Sequence, residues 1–81
     1  MGGHRIVKKK MPSSDEIVQH FVDSRHNPFM TKSKKMIYGD VFYSDISHYI
    51  HNVLGMKHSQ ATKTFMAVCD GLRAKNYWVH S

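Results

Sequence analysis

Residues 57 to 63 carry side chains suited to a charged, hydrogen-bonding partner. Glutamine can bond the edge of adenine at two points, lysine reaches the acceptors of guanine, and a threonine methyl packs on thymine. A serine in the first turn of a helix suits a phosphate. On an exposed helix the same residue types are also ordinary solvated side chains. The residues that predict contacts with nucleic acid here are Lys57, His58, Ser59, Gln60, Thr62 and Lys63.

A predicted helix and a tight turn precede this segment. Apolar residues at helical spacing predict a helix from about Asp45 with one buried stripe. Gly55 supplies a left-handed stop. We expect Ser44 or Asp45 to cap this helix. The members of its apolar stripe are Ile46, Tyr49, Ile50, Val53 and Leu54.

A second predicted helix, from about Ser59 to Lys75, carries the segment itself. Ser59 is the expected cap. Gly71 costs about 1 kcal/mol relative to alanine, which predicts a kink or an early end. The residues expected to face the core are Ala61, Phe65, Val68 and Leu72.

The first half of the chain predicts a packing helix and a strand. Ser13 and Glu16 form a capping box, and the helix should end near Arg25 because Asn27 precedes a proline. Its expected core stripe is Ile17, Val18, Phe21 and Val22. Residues 28 to 35 read as a loop. Residues 36 to 43 are rich in aromatic and β-branched types, with a strand expected at about 41 to 43. If residues 77 to 79 pair with it, the result is a small antiparallel β-ribbon with Trp78 in the core.

The charge balance favours an anionic partner. Twelve lysine and arginine residues against six acidic ones give a net charge of +6, although solubility alone is a simpler reading. Residues 1 to 12 read as a flexible basic arm and residues 13 to 81 as one domain, since 81 residues bury too little surface for two cores. The further candidates for phosphate contacts are Lys8, Lys9, Lys10, Lys32, Lys34, Lys35, Arg73 and Lys75.

Nothing in the sequence predicts catalysis. It contains no phosphate loop, no nucleophile elbow and no acidic metal pattern, so we expect neither an enzyme nor a cofactor. His48, His51 and His58 make a metal site sterically conceivable, but we expect none. Cys69, the single cysteine, reads as a buried structural residue of a reducing cytoplasm or nucleus. No apolar run is long enough for a membrane span.

The pattern resembles that of winged helix-turn-helix domains over about residues 14 to 79. Their turn commonly reads Leu-Gly, a small apolar residue and two polar residues before a helix, as in Leu-Gly-Met-Lys-His-Ser at 54 to 59. Residues 72 to 79 resemble the exit from the recognition helix into a strand. The resemblance implies an α+β fold with a three-helix core. It also implies a DNA-binding regulator of transcription or replication. In such a protein the predicted helix from about Ser59 to Lys75, the third in chain order, enters the major groove of duplex DNA. Because the sequence ends at Ser81, we expect no complete wing.

Other readings stay open beside the winged helix-turn-helix resemblance and duplex DNA. Residues 45 to 79 also resemble the helical half of the bacterial histone-like HU and IHF proteins. The same winged fold serves in adaptors that bind a protein partner. A homodimer, in which two copies of the chain pair, stays open as well. An RNA-bound or ribosome-associated role fits the same charge, and exposed aromatic residues such as Phe42 and Tyr43 would then stack on bases.

Overall fold

The computed structural model describes residues 11 to 81 as a mixed helix and strand domain. The expected basic arm, with Lys8, Lys9 and Lys10, lies almost wholly outside these residues. In chain order the elements are α1 (Ser14–Ser24), β1 (Phe29–Met30), β2 (Met36–Ile37), β3 (Gly39–Phe42), α2 (Tyr43–His48), a π-helical segment (Tyr49–Val53), α3 (His58–Ala74) and β4 (Tyr77–His80).

Helix α1 forms as its sequence predicts. The Ser13 hydroxyl accepts the Glu16 N–H at 3.3 Å, and the Glu16 carboxylate accepts the Ser13 N–H at 2.8 Å, which completes the capping box. The expected apolar stripe faces inward, with Val22 only half-buried. The Arg25 N–H donates to the Phe21 carbonyl and closes the helix where the sequence suggested.

The helix before the turn differs from its prediction. It begins at Tyr43 after Phe42, with no side-chain cap, so the expectation of a Ser44 or Asp45 cap is wrong. From Tyr49 it widens into a π-helix in which the Leu54 N–H donates to the Tyr49 carbonyl. The wider turn changes the angular position of the residues after Tyr49 relative to α-helical spacing. Val53, expected in the buried stripe, is therefore 60% exposed.

The turn and the start of α3 are close to expectation. Gly55 takes the left-handed conformation with φ of 67°, and Met56 fills the core below it. The N-cap of α3 is Lys57 rather than Ser59, and no side chain caps the helix. Gly71 does not end α3, which continues to Ala74. It lies against α1, since a β carbon there would come 2.7 Å from Cγ2 of Val18.

The strands form two separate pairs. β1 and β2 make a small antiparallel hairpin, whereas β3 pairs with β4 in parallel, with Gly39 opposite Tyr77 and Phe42 opposite His80. The antiparallel pairing expected between these last two segments is thus wrong. Because α2, the π segment and α3 all lie between them, the chain returns to the starting end before β4 begins. Trp78, expected in the core, is 53% exposed, and Tyr77 is buried instead.

One hydrophobic core joins these elements. Its largest fully buried side chains come from α1, β3, α2, the π segment and α3: Ile17, Phe21, Val41, Ile46, Ile50, Val68 and Leu72. The α+β class and the three helices are as predicted, whereas the small antiparallel sheet is formed by β1 and β2 rather than by the two segments expected to pair. Among residues 11 to 81, no helix is both long and apolar enough to cross a membrane.

Candidate nucleic-acid interface

The first turn of α3 presents its side chains and its backbone N–H groups together. Lys57, His58, Ser59, Gln60 and Lys63 are all exposed. The first N–H groups of a helix have no partner inside the helix, and no side chain caps them here. This end of α3 therefore combines the positive end of the helix dipole with two lysine side chains, an arrangement that attracts anions.

Two rows of side chains run along this end. His58 and Thr62 lie on one side, and Ser59 and Lys63 lie on the next, because residues four apart share a helix face. Thr62 donates its hydroxyl hydrogen to the His58 carbonyl at 3.1 Å, so this hydroxyl is engaged within the helix. Both rows are exposed, and the row of Ser59 and Lys63 carries the lysine.

His51 joins this surface from the other side of the turn. Its ring lies nearly parallel to that of His58, with 6.4 Å between centroids. The sequence grouped His51 with His48 and His58 only as a conceivable set of metal ligands, not as part of a nucleic-acid surface. The turn at Gly55 brings the His51 ring beside that of His58 at the start of α3.

The loop lysines lie in an ordered turn. Between β1 and β2, the Thr31 N–H donates to the Lys35 carbonyl, and the Lys34 N–H donates to the Thr31 carbonyl, each at 2.9 Å. The Thr31 hydroxyl also accepts the Lys35 N–H at 3.0 Å. Lys34 takes the left-handed conformation. Lys32, Lys34 and Lys35 are thus exposed on a defined hairpin rather than on an irregular loop.

The predicted phosphate contacts fall into two groups. Lys57 and Lys63 lie at the start of α3, whereas Lys75 lies beyond its end, roughly 27 Å from Lys57 at 1.5 Å per residue. The hairpin belongs to the second group, because the Tyr38 N–H after β2 donates to the Asn76 carbonyl before β4. The sequence leaves open whether these residues share a face, and in the structure the length of α3 separates the two groups.

Arg73 is partly used within the protein. Its guanidinium donates to the Tyr43 hydroxyl at 2.7 Å and lies 5.9 Å from the centroid of the same ring. The Asp70 carboxylate lies 3.9 Å from the same guanidinium. A phosphate would have to compete with these contacts, so Arg73 is a weaker candidate than the lysines.

The described residues carry only part of the net charge. Residues 11 to 81 contain eight lysine and arginine residues and all six acidic residues, a balance of +2. Arg5, Lys8, Lys9 and Lys10 supply the other four charges. The basic character of the chain is therefore concentrated ahead of α1.

A groove lies along one side of α3. It has a volume of about 400 Å³ and runs between α3 and the π segment, with Ile50, Ala61 and Phe65 in its apolar wall and Ser47 and Thr62 among its polar residues. A second hollow of about 240 Å³, lined by Met66 and Cys69, shares Tyr43 and Phe65 with it. Both are mainly apolar depressions along α3.

In the described part of the chain the Cys69 thiol is buried and the potential metal ligands are dispersed. Burial raises the pKa of the Cys69 thiol; the nearby Arg73 lowers it and Asp70 raises it again, so the thiolate is disfavoured. No group of three or more potential metal ligands occurs among residues 11 to 81. Cys69 is buried against the core, as its apolar neighbours suggested.

The fold and this surface define a small α+β domain with an exposed, uncapped helix start. No model of a known protein family matches the chain, and no curated protein or solved structure matches it either. The resemblances to winged helix-turn-helix domains and to HU and IHF proteins therefore stay predictions.

Proposed function

We propose that this protein binds nucleic acid and contacts duplex DNA with the N-terminal end of α3, in a regulatory rather than a catalytic role. The observation that carries the proposal is the uncapped start of α3 with Lys57 and Lys63 exposed beside it. Phosphate oxygens would accept from the free backbone N–H groups and from the lysines. Gln60, exposed in the same turn, is the candidate for reading a base edge.

The winged helix-turn-helix arrangement is part of this proposal. It is supported by α1 packed across α3 and by the left-handed Gly55 turn that leads into α3. The second group of lysines and the basic residues ahead of α1 would add phosphate contacts at other points of the duplex. Each neutralised phosphate releases counterions and steepens the dependence of affinity on salt.

Fluorescence anisotropy with a labelled random duplex tests the proposal. Affinity should fall steeply between about 50 and 200 mM salt. The variant Lys63→Gln should weaken binding to all sequences and lower the salt slope by about 1. Arg25→Gln is the matched control, because it removes one positive charge that already lies 3.7 Å from the Asp45 carboxylate.

Two outcomes would contradict the proposal. One is no detectable duplex binding at low salt. The other is equal weakening by Lys63→Gln and Arg25→Gln, since binding would then follow overall charge rather than the start of α3. Gln60→Ala separates the reading of bases from charge: it should reduce sequence preference, by about 1 to 3 kcal/mol at the contacted base pair, and leave the salt slope unchanged.

A protein-interaction adaptor is the second candidate function. It is supported by the two neighbouring apolar depressions along α3 and by Met66, which lines the smaller one and is 62% exposed. An amphipathic helix of a partner would bury its apolar face there. In an NMR titration, an apolar helical peptide should shift the resonances of Ile50 and Phe65, whereas duplex DNA should shift those of residues 57 to 63.

A further inference from the structure

The sheet formed by the parallel strands β3 and β4 has one face toward the core and one face away from it. Side chains alternate along a strand, and the inward positions Val41, Tyr77 and Val79 belong to the core. The alternate positions face away from it. The pairing places Asp40 beside Trp78 and Phe42 beside His80 on this outer face.

Aromatic rings form a continuous row on the outer face. The ring centroids are 6.0 Å apart for Phe29 and Trp78, 4.9 Å for Trp78 and His80, and 4.5 Å for His80 and Phe42. Phe29 comes from β1, so the row crosses from the hairpin onto both parallel strands. We call these four residues the aromatic row. Trp78 is 53% exposed and Phe42 is 43% exposed, so ring surface is open to a ligand.

Positive charge lies at one end of the row. Phe29 begins β1, and the turn that follows β1 carries Lys32, Lys34 and Lys35, with its backbone held by the Thr31 side chain. The one carboxylate on the outer face, that of Asp40, lies 3.2 Å from Nε2 of His80. Rings bordered by lysines match the two parts of a nucleotide, since bases stack on aromatic faces and phosphates attract lysine.

We propose that the aromatic row binds single-stranded nucleic acid by stacking its bases, while the hairpin lysines contact the phosphates. A duplex cannot use such a surface, because its bases are already paired and stacked. The row is separate from the start of α3, so the proposal does not depend on duplex binding. The lysines also favour a polyanion over a purely apolar protein surface.

Trp78 offers a direct readout, because it is the only tryptophan of the chain. Oligothymidylate and oligouridylate of about ten nucleotides, a length within the usual range of single-strand sites, are added to the full chain at low salt. Both should quench the Trp78 fluorescence in a saturable way, and a duplex of equal length should not. The two oligonucleotides together show whether DNA or RNA is preferred.

Variants separate ring stacking from hydrophobic contact. With a labelled oligonucleotide, Trp78→Leu should lower affinity at least about fivefold, the lower range for loss of one stacked base, while Trp78→Phe keeps most of it. Phe42→Ala should also weaken binding and serves if Trp78→Leu does not fold. Val53→Ala, an exposed apolar residue away from the row, should leave affinity unchanged. Asp40→Asn should strengthen binding by removing a negative charge.

The opposite results overturn the proposal. Absence of quenching at low salt, equal quenching by duplex, or full affinity in Trp78→Leu would each exclude base stacking on the row. In the absence of oligonucleotide, the Trp78 emission could also be quenched or blue-shifted as the protein concentration rises. That result would assign the row to contact between two copies of the chain. If Lys63→Gln loses duplex binding but single-stranded oligonucleotides still quench its Trp78 fluorescence, the aromatic row and the start of α3 are separate binding surfaces.

Discussion

Val18 occupies the space that a β carbon at residue 71 would need. Its Cγ2 atom would lie 2.7 Å from such a carbon, and Val18 itself is almost fully buried. Glycine is a poor residue for the middle of a helix, yet here it lets α1 and α3 approach closely. The close approach of α1 to the C-terminal part of α3 thus depends on a missing side chain.

Gly71→Ala should therefore destabilise the protein by about 1 to 3 kcal/mol, the usual cost of overpacking, despite the gain of about 1 kcal/mol in helix propensity. Urea unfolding measures the change. Ala67→Gly at an exposed position of α3 is the control for propensity alone and should cost about 1 kcal/mol. Adding Val18→Ala to Gly71→Ala should recover part of the loss. A stabilised Gly71→Ala protein would show that α1 and α3 are not in close contact.

Gly39 and Gly55 should respond very differently to alanine. A β carbon at Gly39 would overlap the Arg25 carbonyl oxygen and lie 2.7 Å from Cε2 of Tyr77, so Gly39→Ala should cost about 3 kcal/mol or prevent folding. Gly55 has open space around it, and its alanine variant should cost only about 1 to 2 kcal/mol for the left-handed backbone. Thermal unfolding of both variants compares them; equal losses would contradict the close contact at Gly39.

Stability should fall in alkaline solution because of Tyr77. Burial, and secondly the Asp23 carboxylate, raise the pKa of this phenol above its ordinary value of 10.0. Above that value the unfolded chain loses the proton while the folded chain keeps it, so the free energy of unfolding falls as pH rises towards the folded pKa. Below pH 10 the contribution is fully present.

Tyr77→Phe should flatten this decline, measured by urea unfolding at about pH 8 and about pH 11. At the lower pH it should cost about 0.5 to 1.5 kcal/mol, because the Tyr77 hydroxyl donates to the Val22 carbonyl at 3.2 Å. Tyr38→Phe, at an exposed tyrosine, is the control and should leave the decline in place. If both variants lose the same stability between these two pH values, Tyr77 is not the cause of the alkaline decline.

Cys69 should react slowly with iodoacetamide in the folded protein. Its thiol is buried and its pKa is raised, whereas the thiolate is the reacting form. We expect alkylation near neutral pH to be on the order of tenfold slower than in urea. Asp70→Asn should speed it by removing a carboxylate that raises the pKa. Equal rates in the folded and the denatured chain would contradict this placement.

Removal of residues 1 to 10 should weaken duplex binding strongly. The deletion takes away four of the twelve basic residues and leaves a net charge of +2. If all four contact phosphates, the salt slope should fall by about 3.6 units. Anisotropy at several salt concentrations measures the slope, and circular dichroism compares the helix content of the full and the shortened chain. An unchanged slope would assign binding to residues 11 to 81 alone.

Local patterns predicted the helices well. The capping box of Ser13 and Glu16, the left-handed Gly55 and the apolar spacing of α3 each act within a few residues, so their signals are readable along the chain. The exposed start of α3 followed from the same patterns. The prediction that Val53 is buried was wrong, because no residue pattern near Tyr49 indicates that the helix widens into a π-helix there.

The sequence by itself determined three helices, their inward faces and an α+β class, since periodicity and capping act at short range. Only the tertiary structure decided that β4 pairs in parallel with β3, because this depends on the path of two intervening helical segments. It also decided that Tyr77 faces inward and Trp78 outward. In a strand a shift of one residue exchanges the two faces, and the bond from Tyr77 to Val22 of α1 is a contact that spacing alone cannot show.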